Sequence, residues 1–307
     1  MPIQIVEGLP VIKKLEAERV YTIEKSRALT QDIRPLKILI LNLMPKKEET
    51  ELQLLRLLGN TPLQIDVDFM YTATHESVNT RMSYLQKYYV TLDEVRDQAF
   101  DGLIITGAPV EHLEYDEVDY YDELNEIMAW AQTHVYARIY VCWGAQYAIN
   151  YYYGVEKIDL PAKLFGIFEY EKLVNNHPLL RGFDEIYRVP QSRHTRIDHD
   201  QLTDIAELEV LTAHQEFGPD LVATKDLRDL FVFGHLEYDR DTLRNEYVRD
   251  LERGDEILMP VNYFPNNDPN TDPIFNWKSH AYLLFNNWIN ETYQHTPYDL
   301  SEIKENH

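Results

Sequence analysis

The one cysteine of this 307-residue chain lies at a position that suits a catalytic nucleophile. Cys142 directly follows the apolar run 138–141 and precedes 143–146, a segment typical of the start of a helix. A sharp strand-to-helix turn exposes the side chain at its tip, and the helix N-terminus favours a thiolate and offers backbone N–H groups to an oxyanion. We interpret Cys142 as a candidate nucleophile, with Trp143 as an oxyanion donor. An inert cysteine that ends a core strand is the alternative interpretation.

A thiol nucleophile needs a base, and His235 is the best placed of the eleven histidines. The apolar run 230–233 predicts a strand that ends at Gly234, directly before this histidine. Glu237 lies two residues further on, so on an extended chain both side chains would share a face and the carboxylate would orient the imidazole. These residues predict a Cys–His–Glu triad. A histidine with satisfied hydrogen bonds at a strand end is the simpler alternative.

Other site chemistries find less support in the sequence. His194 and His199 lie five residues apart near two aspartates, but no HExxH pattern and no second cysteine accompany them, so we predict no metal site. The carboxylates between 111 and 126 lack EF-hand spacing and are typical of a solvated face. The chain has no GxGxxG or Walker sequence, which argues against dinucleotide and nucleoside triphosphate sites.

Composition limits the partners and the compartment. The net charge of −23 repels nucleic acid and anionic lipid, so we expect neither as a partner. A hydrophobic fraction of 44% is typical of a packed globular chain. A lone cysteine cannot form an intramolecular disulfide, and the chain shows neither a signal peptide nor an apolar run of about 20 residues. We therefore expect a soluble protein of the cytoplasm.

Short apolar runs alternate with helical patterns along the chain. Strands are predicted at 37–43, 63–69, 100–106 and 138–141, a hairpin at 221–224 and 230–233, and a loop at 260–273. Helices are predicted around Leu52, Leu55 and Leu58, around 124–131, and at 143–153 and 242–253. This alternation predicts an α/β fold, a three-layer sandwich with a mostly parallel sheet. We expect residues 1–36 to form an N-terminal extension packed on the core and residues 37–307 to form a single domain.

Ligands of such sheets bind beyond the carboxyl ends of the strands. Three of these ends carry unusual sequences, at 41–45 (Leu-Asn-Leu-Met-Pro), 105–109 (Ile-Thr-Gly-Ala-Pro) and 142–146 (Cys-Trp-Gly-Ala-Gln). With Gly-His-Leu-Glu-Tyr-Asp at 234–239 and shorter matches at 34–37, 60–64, 192–195 and 240–243, they resemble the homoserine O-acyltransferase family of methionine biosynthesis. The resemblance runs in family order over nearly the whole chain. It implies a fold similar to class I glutamine amidotransferases, which is flavodoxin-like.

The resemblance also implies a reaction. An acetyl group would pass from acetyl-CoA to Cys142 as a thioester and then, in a ping-pong order, to the hydroxyl of L-homoserine. His235 would be the general base and Glu237 its partner. No cofactor is implied beyond acetyl-CoA as a substrate, and a homodimer is the usual state of such proteins.

Substrate contacts of the family fall on Lys163, Ser192 and Arg249. Sequence pattern alone would place Lys163 on the surface and Arg249 on the solvent face of a helix. By analogy with the fold, the turn at Leu43 supplies a second oxyanion donor. We place Lys47 in the same pocket and expect it, with Lys46, to face the coenzyme A phosphates. One departure from many relatives is Gln191, where a histidine is expected, and it bears on the shape of the homoserine pocket.

Glu111 is the residue on which the acyl donor depends. Similar enzymes with glycine at this position accept succinyl-CoA, and those with glutamate use acetyl-CoA. A second carboxylate placed ~5 Å from a glutamate at an effective dielectric constant of ~20 costs about 3 kcal/mol. We therefore predict acetyl-CoA as the donor, with succinyl-CoA as the alternative. An exposed loop acid without a role is the simpler interpretation of Glu111.

Two other functions compete with acyl transfer. A glutamine amidotransferase-type hydrolase shares the expected fold and cysteine, but Tyr140 stands two residues before Cys142, where those enzymes favour glycine. A metabolite-binding protein without catalysis is the second alternative. The presence of Cys142, His235 and Glu237 argues against it.

Overall fold

The computed structural model describes residues 3–5, 22–24, 34–75, 80–254 and 257–303. Most of the predicted N-terminal extension therefore lies outside the described residues, and its packing on the core stays a prediction. Inside it, Ile3–Ile5 (β1) and Thr22–Glu24 (β2) pair in parallel as a separate two-stranded sheet. The sequence pattern predicted no regular element there.

The larger sheet is built from ten strands that alternate with helices. Its elements, in chain order, are β3 (Leu36–Leu41), α1 (Lys47–Leu58), β4 (Ile65–Met70), α2 (Met82–Tyr88), β5 (Tyr89–Val90), α3 (Leu92–Val95), β6 (Phe100–Ile105), α4 (Tyr121–His134), β7 (Val135–Val141), α5 (Trp143–Tyr153), β8 (Lys157–Lys172), β9 (Ile186–Ile197), α6 (His199–Thr203), β10 (Leu208–His214), β11 (Gly218–Thr224), β12 (Asp229–Val232), α7 (Thr242–Arg253) and α8 (Lys278–His295). The strand order is β5-β4-β3-β6-β7-β12-β11-β10-β8-β9. The first six strands in this order run parallel and the remaining pairings are antiparallel. The predicted α/β fold with a mostly parallel sheet is confirmed.

Both faces of the central parallel strands β3, β6 and β7 are covered, which explains their apolar runs, whereas β4 exposes Asp66 and Asp68 on one face. In β3, Ile38 and Ile40 belong to a core with Trp288 of α8. Leu39 and Leu41 point to the opposite face, into a second core with Ile127 of α4. Side chains that alternate between two buried cores leave no polar face on the strand, and the result is a three-layer sandwich.

The sequence pattern missed the antiparallel extension and misjudged one helix. Strands β8, β9 and β10 and helix α8 were not predicted; β8 mixes Pro161 and several charges with its apolar residues. In α1 two of the three residues of the predicted apolar stripe are turned outwards, since Leu52 is 56% and Leu55 41% exposed. The third, Leu58, is buried together with Leu54 and Leu57. No helix within the described ranges is both long and apolar enough to cross a membrane.

A buried ion pair joins the two strands that lead to the candidate catalytic residues. Arg138 of β7 and Asp229 of β12 form two hydrogen bonds of 2.5 and 2.8 Å, and the arginine is fully buried. β7 ends at the residue before Cys142, and β12 ends three residues before His235. The ion pair therefore sets the register of the two strands that deliver the nucleophile and the base.

We expect Asp229→Ala to lower the free energy of unfolding by about 3–5 kcal/mol, because it leaves the buried Arg138 guanidinium without its counter-charge. Urea unfolding measures the change. The exposed pair between Asp93 and Arg96 is the matched control, and Asp93→Ala should cost less than about 1 kcal/mol. Equal losses for the two variants would show that the buried pair has no special structural weight.

Candidate active site

Cys142 occupies a strained turn between β7 and α5. Its φ of 51° and ψ of −115° are unusual for a residue with a side chain. The turn is held by a 2.7 Å bond from the Cys142 amide to the carbonyl of Val232, and the Cys142 carbonyl accepts two N–H groups of α5. A β-carbon on Gly144 would lie only 2.7 Å from the carbonyl oxygen of Thr106, so the turn needs glycine there. The turn is sharp enough for the predicted nucleophile elbow, which stays a prediction, and strain of this kind clusters at functional sites.

Gly107 stands between the cysteine and the histidine. A β-carbon at this position would lie 3.3 Å from Cβ of Cys142 and 3.7 Å from Cε1 of His235. The two side chains therefore converge on one point at the carboxyl end of the sheet, where β6, β7 and β12 end side by side. The sequence-predicted pair of Cys142 and His235 is brought together.

Glu237 also reaches His235, but not by the predicted route. Its Oε1 lies 2.6 Å from Nδ1 of His235. The extended chain on which the prediction rested is absent here, because β12 ends at Val232 and residues 236–237 form a turn. A 3.2 Å bond from the Tyr238 amide to the His235 carbonyl closes that turn and folds the carboxylate back onto the ring.

Tyr238 is a site residue that sequence reasoning missed. Its ring stacks on the imidazole of His235 with centroids 4.1 Å apart and an interplanar angle of 14°. Stacking on one face and the bond to Glu237 at the edge leave the imidazole little rotational freedom. Tyr238 lies within the segment 234–239, but an aromatic residue next to a turn can have many structural roles, so its type alone did not identify it as a site residue.

Neighbouring charges raise the pKa of His235. Burial by itself would lower the pKa of His235, but the charges and hydrogen bonds of Cys142 and Glu237 offset it and raise the pKa well above its ordinary value. The ring is 3% exposed, so solvent screens these interactions little. The direction of this shift favours the imidazolium form of His235 beside the Cys142 sulfur.

A cleft of about 330 Å³ opens above this pair. Its charged lining consists of three cations and three carboxylates: Lys163, Arg249, Arg253, Glu111, Glu246 and Asp250. The cleft is thus nearly neutral although the whole chain carries −23. Charges of both signs close together suit a ligand that also carries both.

The three residues predicted to bind substrate converge on one carboxylate. Oε1 of Glu246 accepts bonds from Nζ of Lys163 at 2.5 Å and from Oγ of Ser192 at 2.7 Å. The Arg249 guanidinium lies 3.6 Å from the same oxygen and is held by Asp250 at 2.6 Å. Pattern had placed Lys163 and Arg249 on the surface, and the structure places both in the cleft. Glu246 was missed because one acidic residue on a charged helix carries no distinguishing signal.

Glu111 lies at the rim of the cleft with its carboxylate anchored. Oε2 accepts the backbone N–H of His194 in β9, a strand that also presents Ser192 to the cleft. A carboxylate held in this way cannot swing freely towards solvent. Glu111 is thus half-buried and hydrogen-bonded rather than an exposed loop acid, and its role in the choice of donor stays a prediction.

The predicted second oxyanion donor is not available in this conformation. The amide of Leu43 donates to Oγ1 of Thr106 at 2.8 Å, and the amide of Met44 donates to Oδ1 of Asn42 at 3.1 Å. The Trp143 amide, by contrast, opens α5, where helix geometry offers no intrahelical acceptor. Of the predicted donors, Trp143 alone retains a suitable position.

Lys47 lies outside the cleft, which corrects its predicted place in the pocket. Its ammonium donates to the backbone carbonyl of Asn42, and the residue is 8% exposed. Burial lowers the pKa of Lys47 to about 8, although Glu51 opposes the shift. It stabilises the turn after β3 rather than facing coenzyme A. Lys46 remains on the surface beside Glu49.

The fold is similar to that of solved glutamine amidotransferases. The chain resembles a solved glutamine amidotransferase from Thermotoga maritima with a TM-score of 0.56, covering 84% of this chain and 98% of the other at 11% identity. A glutamine amidotransferase from Methylobacillus flagellatus gives a TM-score of 0.54 at 13% identity, over 84% and 95% of the two chains. At these identities the likeness establishes the fold alone.

Sequence comparison narrows the class. The chain belongs to the homoserine O-succinyltransferase family, whose model matches residues 2–298. A relative from Acetivibrio thermocellus named homoserine O-acetyltransferase is 48% identical over 99% of this chain and 100% of its own. Another of that name from Clostridium novyi is 51% identical over 97% of this chain and 99% of its own.

We expect Cys142→Ser to lower the pKa of His235, because a neutral hydroxyl removes the anionic partner while burial continues to disfavour the imidazolium. NMR titration of the histidine ring protons measures this, with His235→Gln to assign the signal. In the native protein the His235 signal should titrate above the ordinary value of ~6.5, and in Cys142→Ser at a lower pH. An unchanged midpoint would show that Cys142 does not raise the pKa of His235.

Proposed function

We propose that this protein is a homoserine O-acetyltransferase, which transfers an acetyl group from acetyl-CoA to the hydroxyl of L-homoserine. The observation that carries the proposal is the convergence of Cys142 and His235 at Gly107, under a cleft lined by charges of both signs. The names of the relatives support it. Homoserine O-succinyltransferase activity, with succinyl-CoA as donor, is the alternative within the same chemistry.

The first half-reaction acetylates the cysteine. The Cys142 thiolate attacks the carbonyl carbon of acetyl-CoA, and the oxyanion that forms is stabilised by the Trp143 amide. The bond from that carbon to the coenzyme A sulfur then breaks, and His235 gives its proton to the leaving thiolate. An acetyl thioester on Cys142 and a neutral imidazole remain.

Acetylation itself prepares the base for the second half-reaction. The thioester carries no charge, so the largest influence that raised the pKa of His235 is gone while burial still lowers it. His235 then accepts the proton of the homoserine hydroxyl as its oxygen attacks the thioester. O-acetylhomoserine leaves, the thiolate is restored, and Glu237 stabilises the new imidazolium.

Homoserine is a zwitterion, and the cleft offers a partner for each end. The guanidinium of Arg249 suits the α-carboxylate, since its forked donors match two oxygens. Glu246 offers an acceptor for the α-ammonium, which could replace the Lys163 ammonium at Oε1 or share it. Ser192 would hold Glu246 in place through its 2.7 Å bond.

Glu111 would select the donor by charge. Succinyl-CoA ends in a carboxylate that acetyl-CoA lacks, and Glu111 would repel it from a position at the cleft rim. The bond from the His194 amide keeps the repelling charge in place. We propose no cofactor for the reaction, and we retain a cytoplasmic homodimer as a prediction.

Mass spectrometry of the intact protein after brief exposure to acetyl-CoA without homoserine tests the proposal. We expect one acetyl group on Cys142 that is discharged when homoserine is added, and no adduct in Cys142→Ala. A succinyl adduct from succinyl-CoA alone would keep the chemistry and overturn the assignment of the donor. No adduct from either donor, together with glutamine hydrolysis, would favour an amidotransferase-type hydrolase.

Substitution of Glu111 separates charge from space. We expect Glu111→Gly to raise kcat/KM for succinyl-CoA relative to acetyl-CoA by about a hundredfold, the equivalent of the ~3 kcal/mol repulsion that the change removes. Glu111→Gln is the matched control, since its amide keeps the volume and can still accept from His194. If charge dominates, both variants shift the ratio; if space dominates, only Glu111→Gly does. An unchanged ratio in both would remove Glu111 from donor selection.

A further inference from the structure

A second buried carboxylate lies behind the catalytic turn. Asp220 of β11 is fully buried and is not among the residues that line the cleft. Oδ2 accepts the hydroxyl of Tyr187 at 2.6 Å, and Oδ1 accepts the side-chain amide of Gln191 at 3.2 Å. Such a carboxylate is costly to bury, and burial raises the pKa of Asp220 to about 6 despite these donors.

The same carboxylate grips the backbone that carries the base. The Asp220 carboxylate lies beside the backbone of Gly234, the residue directly before His235. The contact is so close that a β-carbon on Gly234 would lie 2.6 Å from Oδ1 of Asp220 and 2.7 Å from Nε2 of Gln191. On either side of Gly234, the Phe233 amide bonds the Asp220 carbonyl and the His235 amide bonds the Pro190 carbonyl.

Strand β9 connects this contact to the substrate side of the site. Successive side chains of a strand point to opposite faces. Ser192 and His194 accordingly line the cleft, whereas Gln191 bonds Asp220 and the hydroxyl of Tyr170 in the interior. One strand thus carries substrate contacts on one face and a support for the base on the other.

We propose that Asp220 is a positioning residue for His235, which acts by holding the Gly234 amide so that the imidazole meets Cys142. The charged acceptor gives a stronger bond to the amide than a neutral one would. Gln191 completes the grip by binding the same oxygen, which assigns a role to the residue that departs from the expected histidine. The proposal rests on the roles of Cys142 and His235 proposed above.

Alkylation of the only cysteine gives a readout that does not require acyl transfer. We expect Asp220→Ser, whose shorter side chain cannot reach Gly234, to move the pH profile of Cys142 alkylation by iodoacetamide to higher pH. A displaced imidazolium stabilises the thiolate less, so at neutral pH the rate should fall on the order of tenfold to a hundredfold. In acyl-transfer assays kcat should fall similarly while KM for acetyl-CoA stays within about twofold.

Tyr187→Phe is the matched control. It removes the bond to the other oxygen of Asp220 in an equally buried position and should lower the thermal midpoint. It leaves the Gly234 contact intact, so alkylation should stay within about twofold of the native rate. Asp220→Asn, which retains an acceptor for the Gly234 amide, should restore most of the reactivity lost in Asp220→Ser.

Two results would overturn the proposal. One is a folded Asp220→Ser protein with a native alkylation profile and kcat. The other is an equal loss of reactivity in Asp220→Ser and Tyr187→Phe, which would make the cluster a purely structural one. If Asp220→Ser does not fold, Gly234→Ala disturbs the contact from the opposite side, and native reactivity in that variant would also refute the proposal. If the native protein shows no acyl transfer although its Cys142 is alkylated as expected, the result would count against the proposed function instead.

Discussion

The charge coupling between Cys142 and His235 is the interaction on which the rest of the site depends. Inside a buried pocket the charge of Cys142 raises the pKa of His235, and in the proposed reaction this coupling disappears once the sulfur is acylated. The same group can therefore be an acid in one half-reaction and a base in the next. That alternation requires the two side chains to remain in contact, and the fold supplies rigid support from several directions.

That support comes from groups of residues at increasing distance from Cys142 and His235. Gly107 leaves the space in which the two side chains meet, and Tyr238 and Glu237 hold the imidazole by a face and an edge. The ion pair of Arg138 and Asp229 joins the parent strands, deep in the sheet. Burying charged groups costs free energy, so the ion pair beneath the site indicates that it serves the geometry of the two strands and not only the stability of the fold.

The cleft solves a second electrostatic problem. In the proposed reaction, a chain with a net charge of −23 binds an anionic thioester and a zwitterionic amino acid. Lys163 and Arg249 lie in one cleft, each beside a carboxylate. They supply local positive charge while the net charge of the cleft stays close to zero. In our proposal Glu111 adds a negative charge where only the wrong donor would carry one.

The sequence by itself determined the parallel half of the sheet, since β3, β6 and β7 are apolar on both faces. It also determined the choice of Cys142, His235 and Glu237 as candidate catalytic residues, because they lie in motifs close to strand ends. Only the tertiary structure decided the antiparallel strands β8–β10, whose mixed residues form no clean period. It also decided that Lys163, Glu246 and Arg249 face the cleft while Lys47 does not. The side on which a charged residue lies depends on what packs against its helix or strand, and those partners come from distant parts of the chain. Asp220 follows the same rule, because nothing local links it to Gly234, fourteen positions away.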